Sequence, residues 1–254
     1  MRSRHLSGLT SGGGRDRTAT FDKILFTLAA LLLAPAVHAS SFQVSPVVLE
    51  VPAGGRNAVL TLRNNEQTPV SVQVRLYRWT QHDGADVYEP TDELIASPPI
   101  MTVPAGGTQL LRIGPRTGRL SGAYRVIIED ILPPATKASQ VRIALRLNLP
   151  LYVMPAPGAK AALHWSGSRD ATGNITLRAD NDGARYDTVV AIGAIDAAHK
   201  TIRLSSHFGA VLPGGSKRWS IGKHPKLGLD APLDLSVTSG DGVVTRAMIT
   251  LVRR

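Results

Sequence analysis

Residues 141–153 read VRIALRLNLPLYV. Val141, Ile143, Leu145, Leu147, Leu149, Leu151 and Val153 are apolar without a break, and Arg142, Ala144, Arg146, Asn148, Pro150 and Tyr152 fill the other face. A period of two marks an extended strand with one apolar side. At about 3.3 Å per residue the ladder spans roughly 20 Å, which is long for a sandwich strand. On period alone, burial in an ordinary core explains the alternation. Pro150 points elsewhere, because proline interrupts a row of backbone donors and belongs on edge strands. An edge with an apolar row is an aggregation hazard unless a partner uses it. The stretch therefore predicts a β protein with a strand that docks on something else.

On either side of it, strand signals dominate. Short runs rich in Val, Ile, Leu and Thr fall at 42–51, 57–63, 70–79, 108–113, 123–132 and 140–154. Turn-forming clusters separate them at PAGG (52–55), NNEQTP (64–69), HDGAD (82–86) and PAGG (104–107). In 70–79, Val72, Val74 and Leu76 share one face, and Gln73, Arg75 and Tyr77 the other. No window carries a useful helical period. The prolines and glycine of MPAPGAK (154–160) end the long strand, after which strands restart at 161–166, 174–180, 187–196, 201–204, 217–221, 232–238 and 243–252. SGDG (239–242) is a tight-turn signal before the last of them. This spacing predicts an all-β fold of two immunoglobulin-like sandwiches, at 40–155 and 156–254, with no evident sequence repeat between them.

The N-terminus bears on compartment. ILFTLAALLLAPAV (24–37) follows Arg15, Arg17 and Lys23 and precedes Val37-His38-Ala39. The run falls short of the ~20 residues that span a bilayer, and small residues occupy the positions a signal peptidase reads. Residues 1–39 are thus expected to be a cleaved signal, placing the mature protein in the periplasm. The chain of 254 residues has 29 Lys+Arg against 19 Asp+Glu, a net charge of +10; without residues 1–39 it is +7. Such charge suggests nucleic acid or anionic lipid in a cytosolic protein, but export argues against nucleic acid. No second long apolar segment suggests a membrane-embedded chain.

Catalytic patterns are missing from the sequence. With no cysteine, thiol nucleophiles, disulfides and Cys-based metal sites are excluded. No histidine pairs with another at metal-ligand spacing, and there is no G-x-S-x-G elbow, HExxH or phosphate loop. Glu129 and Asp130 are adjacent on a strand and so face opposite ways. Neither an enzyme, a metal nor a cofactor is expected.

In order and spacing, SFQVSPVVLEV (41–51), AVLTLRNNEQTPVSVQV (58–74), SPPIMTVPAGGTQLLRI (97–113), AYRVIIEDILPP (123–134) and IALRLNLPLYVMP (143–155) resemble the PapD-like periplasmic pilus-assembly chaperones. The resemblance implies an L-shaped pair of immunoglobulin-like domains without enzymatic activity. It implies that the last strand of domain one completes an unfinished pilus subunit by donor-strand complementation, after which the subunit passes to an outer-membrane usher. Ile143, Leu145, Leu147 and Leu149 would be the donor residues.

The carry-over has gaps. Where most members place an Arg and a Lys that anchor the subunit's terminal carboxylate, this chain has Val48 and Pro150. The arginine of the family's interdomain ion pairs is replaced within Val153-Met154-Pro155. Tyr124-Arg125 resembles a pair found in the archaic branch, which makes Arg125 the first candidate anchor and Arg146 the second. Two other readings stand beside the chaperone: a secreted pilus or coat subunit, and an immunoglobulin-like binding module.

Overall fold

The computed structural model describes residues 42–254 except 53, 56, 133–142, 197–198 and 230. The expected signal segment and the first two residues of the long ladder lie outside the described residues. Among the described residues, every helix or strand is a strand.

The first lobe is a sandwich of two sheets. One has the order β1 (Phe42–Ser45), β3 (Ala58–Asn64), β8 (Thr108–Pro115) and β6 (Leu94–Ser97). The other runs β2 (Leu49–Val51), β10 (Arg146–Val153), β9 (Ala123–Asp130), β4 (Val70–His82) and β5 (Ala85–Pro90), with β7 (Ile100–Val103) also pairing with β4. The first predicted strand is thus two. Pro46, which lacks an N–H, falls between β1 and β2, and the chain changes sheets there. Val72 and Val74 point into the core with Leu60, Leu62, Leu111, Ile113, Val126 and Ile128, as the alternation requires. The hairpin between β4 and β5 turns on Asp83 and Gly84, whose φ angles of 49° and 77° need the left-handed region.

The second lobe orders its strands β14 (Thr201–Ser205), β13 (Asp187–Ile195), β17 (Pro232–Ser239), β18 (Val244–Arg253), β11 (Leu163–Arg169), β12 (Asn174–Asn181) and β16 (Ser216–Lys223). β15 (Gly209–Val211) pairs with β13. Its core gathers Ile175, Leu177, Val189, Ile192, Trp219, Leu235 and Leu251.

A repeat that the sequence hides links the lobes. Asn64 ends β3 and Asn181 ends β12, and both are fully buried. Asn64 Nδ2 donates to the carbonyls of Thr68 and Val103, and its Oδ1 accepts from the Glu66 N–H. Asn181 Nδ2 donates to the carbonyls of Arg185 and Val211, and its Oδ1 accepts from the Gly183 N–H. The backbone N–H of Asn64 donates to Gly107, and that of Asn181 to Gly215. Gly106 and Gly214 take matching φ angles of 63° and 66°. One buried amide therefore ties an Asx-type turn to a Gly-Gly turn in each lobe.

Candidate functional site

The site is built on β9 and β10. Asp130 N–H donates to the Leu145 carbonyl, and Val153 N–H to that of Gly122. In an antiparallel ladder this fixes the odd-numbered backbone groups of β10 toward β9 and the even-numbered ones away from it. Pro150 is even-numbered, so its missing N–H costs the β9 ladder nothing. On the outward side, β2 pairs in parallel with Leu151–Val153 only. Among the described residues nothing pairs with the outward edge of residues 146–150. Arg146 and Asn148 there present backbone groups without a strand partner.

The apolar ladder divides along its length. Leu149 and Leu151 are 6% and 0% exposed and belong to the lobe's own core. Leu145 and Leu147 are half-buried and pack on the margin of that core, and Ile143 is 53% exposed. Leu149, expected to fill a partner's groove, is instead committed to the core, leaving Ile143, Leu145 and Leu147 as the available ladder. Among the described residues of the ladder, strand geometry starts at Arg146 rather than at Ile143, because β9 ends at Asp130; residues 140–142 of the expected strand lie outside the described residues.

The opposite face of β9 and β10 carries the charges. Register places Arg125 between Pro150 on β10 and Tyr77 on β4. Its guanidinium lies 3.7 Å from the Trp79 ring centroid and 5.5 Å from that of Tyr88. No carboxylate among the described residues reaches it at ion-pair distance, and its buried Nε has no hydrogen-bond partner. The Tyr152 hydroxyl, on the same face, is also buried without a partner. Burial pushes the Tyr152 hydroxyl well above the usual phenol range, with the Arg125 charge opposing. The face thus holds a half-buried cation on an aromatic platform, with Arg125 Nε and the Tyr152 hydroxyl both buried and without a hydrogen-bond partner.

The other two predicted features differ. Arg146 Nε is 3.2 Å from Glu129 Oε1, and Arg75 Nε is 3.3 Å from Glu129 Oε2, so Arg146 is already engaged. Tyr124 faces inward, as its neighbour on a strand must. It is fully buried and donates to Glu93 Oε2 at 2.7 Å. Burial first, and that bond second, push its hydroxyl up to about 12.

A second polar network joins the lobes beside this face. Gln81 Nε2 donates to the Ala210 carbonyl at 2.8 Å, while its Oε1 accepts from the Leu212 N–H at 2.9 Å. Asp86 accepts from Trp79 Nε1, Gln81 Nε2 and Lys217. Burial alone would raise the Asp86 carboxyl; the bonds from Gln81, Lys217 and Trp79 outweigh it and hold the group below its usual range. Met154 packs on the apolar cluster of Trp79, Ala123, Tyr152, Ala210 and Leu212. Tyr152 stacks on Tyr186 with centroids 3.5 Å apart. Asp86 and Lys217, 131 positions apart, form an ion pair across the lobes that no spacing rule could suggest. No group of three or more His, Asp or Glu suited to a metal occurs among the described residues.

The description "pili and flagellar-assembly chaperone, PapD N-terminal domain" matches residues 41–158. No curated protein matches the chain. Among solved structures, the fold is similar to a chain of the CsuC–CsuE chaperone–tip adhesion subunit pre-assembly complex from the archaic chaperone-usher Csu pili of Acinetobacter baumannii. Identity is 21% and the TM-score 0.63, over 85% of this chain and all of that one. The Salmonella enterica SafA pilin–SafB chaperone complex gives 18% identity and a TM-score of 0.56, over 85% of this chain and 99% of that one. The CupB2 chaperone of Pseudomonas aeruginosa gives 18% and 0.53, over 82% of this chain and all of that one.

Proposed function

We propose that this chain, whose residues 41–158 match the pili and flagellar-assembly chaperone family, captures pilus subunits in the periplasm by donor-strand complementation and delivers them to an outer-membrane usher. The observation that carries this reading is the outward edge of residues 146–150, which has no strand partner and continues into the incompletely buried Leu145 and Leu147 and the exposed Ile143. A subunit lacking its last strand offers the complement, a groove with a bare sheet edge. Backbone pairing along Arg146 and Asn148 supplies register, and Ile143, Leu145 and Leu147 fill the groove. Burying three such side chains contributes on the order of 5 kcal/mol before ordering costs.

Arg125 takes the subunit's terminal carboxylate in this reading. An anion there would satisfy a guanidinium that has no carboxylate partner among the described residues and whose Nε has no hydrogen-bond partner. Residues 1–39 serve as the export signal, and the two functional domains meet near residue 155. The role requires binding and no bond-making step. Co-expression with a groove-bearing subunit tests the proposal. Leu147→Glu should abolish co-purification while the chaperone melts normally, and retained capture would refute it.

A further inference from the structure

Arg125 and Asp86 share one indole. The guanidinium lies over the Trp79 ring, 3.7 Å from its centroid, and the carboxylate accepts from Nε1 at the ring's edge at 3.0 Å. Tyr88 stands near the same guanidinium, and its hydroxyl feels both groups: burial pushes it up, the Arg125 charge opposes and the Asp86 charge adds. A cation and a carboxylate on one small platform attract each other, and a neutralised pair offers little to an anion from outside. Yet no carboxylate among the described residues reaches Arg125, and the Asp86 oxygens are already taken. Oδ1 accepts from Trp79 and Gln81, and Oδ2 from Lys217, which stands on β16 of the second lobe.

The Lys217 and Asp86 side chains are 20% and 19% exposed, so water and salt screen this pair less than a surface one. Counted together, Arg125, Asp86 and Lys217 carry one surplus positive charge. The neighbouring carboxylates do not cancel it. Glu50, on β2 across from Tyr152, accepts from the Tyr186 hydroxyl and has Arg185 Nη2 at 3.9 Å. Glu129, further along β9, is shared by Arg75 and Arg146. The surplus therefore depends on a lysine of the second lobe, whereas the guanidinium that can use it belongs to the first. Resting on the anchor role given to Arg125 above, we propose that Lys217 is a positioning residue for that anchor. By neutralising Asp86 from the second lobe, it leaves Arg125 free for the terminal carboxylate of the subunit.

Four proteins close the test as a double-mutant cycle: the parent, Lys217→Met, Asp86→Asn and the double variant. Sodium acetate, a minimal carboxylate, is titrated at constant ionic strength and followed at the Arg125 Nε–H resonance. The parent should shift saturably. Lys217→Met should weaken acetate at least fivefold, and Asp86→Asn should bind it at least as tightly as the parent. The double variant should return to within twofold of the parent, although it has lost the bridge between the lobes. A purely structural Lys217 would instead leave the double variant as weak as Lys217→Met, and that result, or an unsaturable shift in the parent, overturns the proposal. Lys217→Arg keeps the charge and should match the parent. Should Lys217→Met fail to fold, weaker acetate binding by Asp86→Asn is enough to overturn it. Capture of a co-expressed subunit should follow the same order. Equal capture by the parent and Lys217→Met removes the role of Lys217 and leaves the chaperone reading standing. An intact acetate cycle in a protein that captures no subunit supports the charge balance and overturns the chaperone reading.

Discussion

β10 and β18 end their lobes in the same way and differ where it matters. Each is clamped at its C-terminal end by parallel pairing with an early strand of its own lobe: Leu151–Val153 with β2, and Leu251–Arg253 with β11. From these clamps backward the inward side chains correspond. Leu149 and Leu151 are buried in one core, Ile249 and Leu251 in the other. Further out the correspondence fails. Leu145 and Leu147 stand where β18 has Thr245 and Ala247. The second lobe removes apolar bulk from its outer positions, as edge strands usually do. The first lobe keeps that bulk, and this contrast separates the incompletely buried outer part of β10, the proposed docking element, from its inner part, which is core.

Breaking the contrast has its largest effect at the core end. Leu151→Glu buries an unpaired carboxylate at a cost of several kcal/mol and should leave no cooperative melt, whereas Leu147→Glu should melt within a few degrees of the parent. Equal collapse of both would merge the two halves of β10. Next come the twin amides. Asn64→Ala and Asn181→Ala each strand buried backbone groups, and each should cost about 3 kcal/mol, read by denaturant titration of tryptophan fluorescence. A large loss at one position only would show that the corners are not equivalent.

A smaller effect is expected at Arg125. Arg125→Gln should weaken subunit binding about 10- to 100-fold, the range of a charge-assisted bond, and Arg146→Gln less than threefold, because an exposed pair contributes little. Surface plasmon resonance with immobilised subunit decides between them. The smallest concerns Asp86. Its folded pKa is depressed, so its contribution is present above its unfolded value near 3.8 and is lost as pH falls through the folded one. Asp86→Asn should therefore lower the melting temperature at pH 7 and differ little from the parent near pH 2.

Much of this was readable beforehand because alternation is a local property. Val72, Val74 and Leu76 point where their period says, and Leu145, Leu147, Leu149, Leu151 and Val153 of the long ladder face the core as a single row. Strands β5, β6, β7 and β15 escaped notice. They have six residues or fewer, and segments such as ADVYEP and LIAS carry too little pattern. Leu147 and Leu149 are the same residue type with the same parity, yet only one is committed to the core, since that depends on how far the facing sheet reaches. Arg125 could be named from a motif, but that no carboxylate among the described residues reaches it depends on distant strands. The Asn64 and Asn181 corners share an asparagine and a Gly-Gly pair across otherwise unrelated sequence, too little to register as a repeat.

Pro150 gives the open edge of β10 a definite length. A visiting strand laid along β10 finds outward donors at Arg146 and Asn148, none at Pro150, and β2 already seated from Leu151 onward. Its advance ends at a wall rather than fading into weaker contacts. Arg125 stands level with that wall, across from Pro150. On the proposed function the edge would act as a ruler with a charged zero mark: it would gauge how far a guest's chain runs past its last groove residue, and a guest with a longer tail would not seat at the same register whatever its side chains.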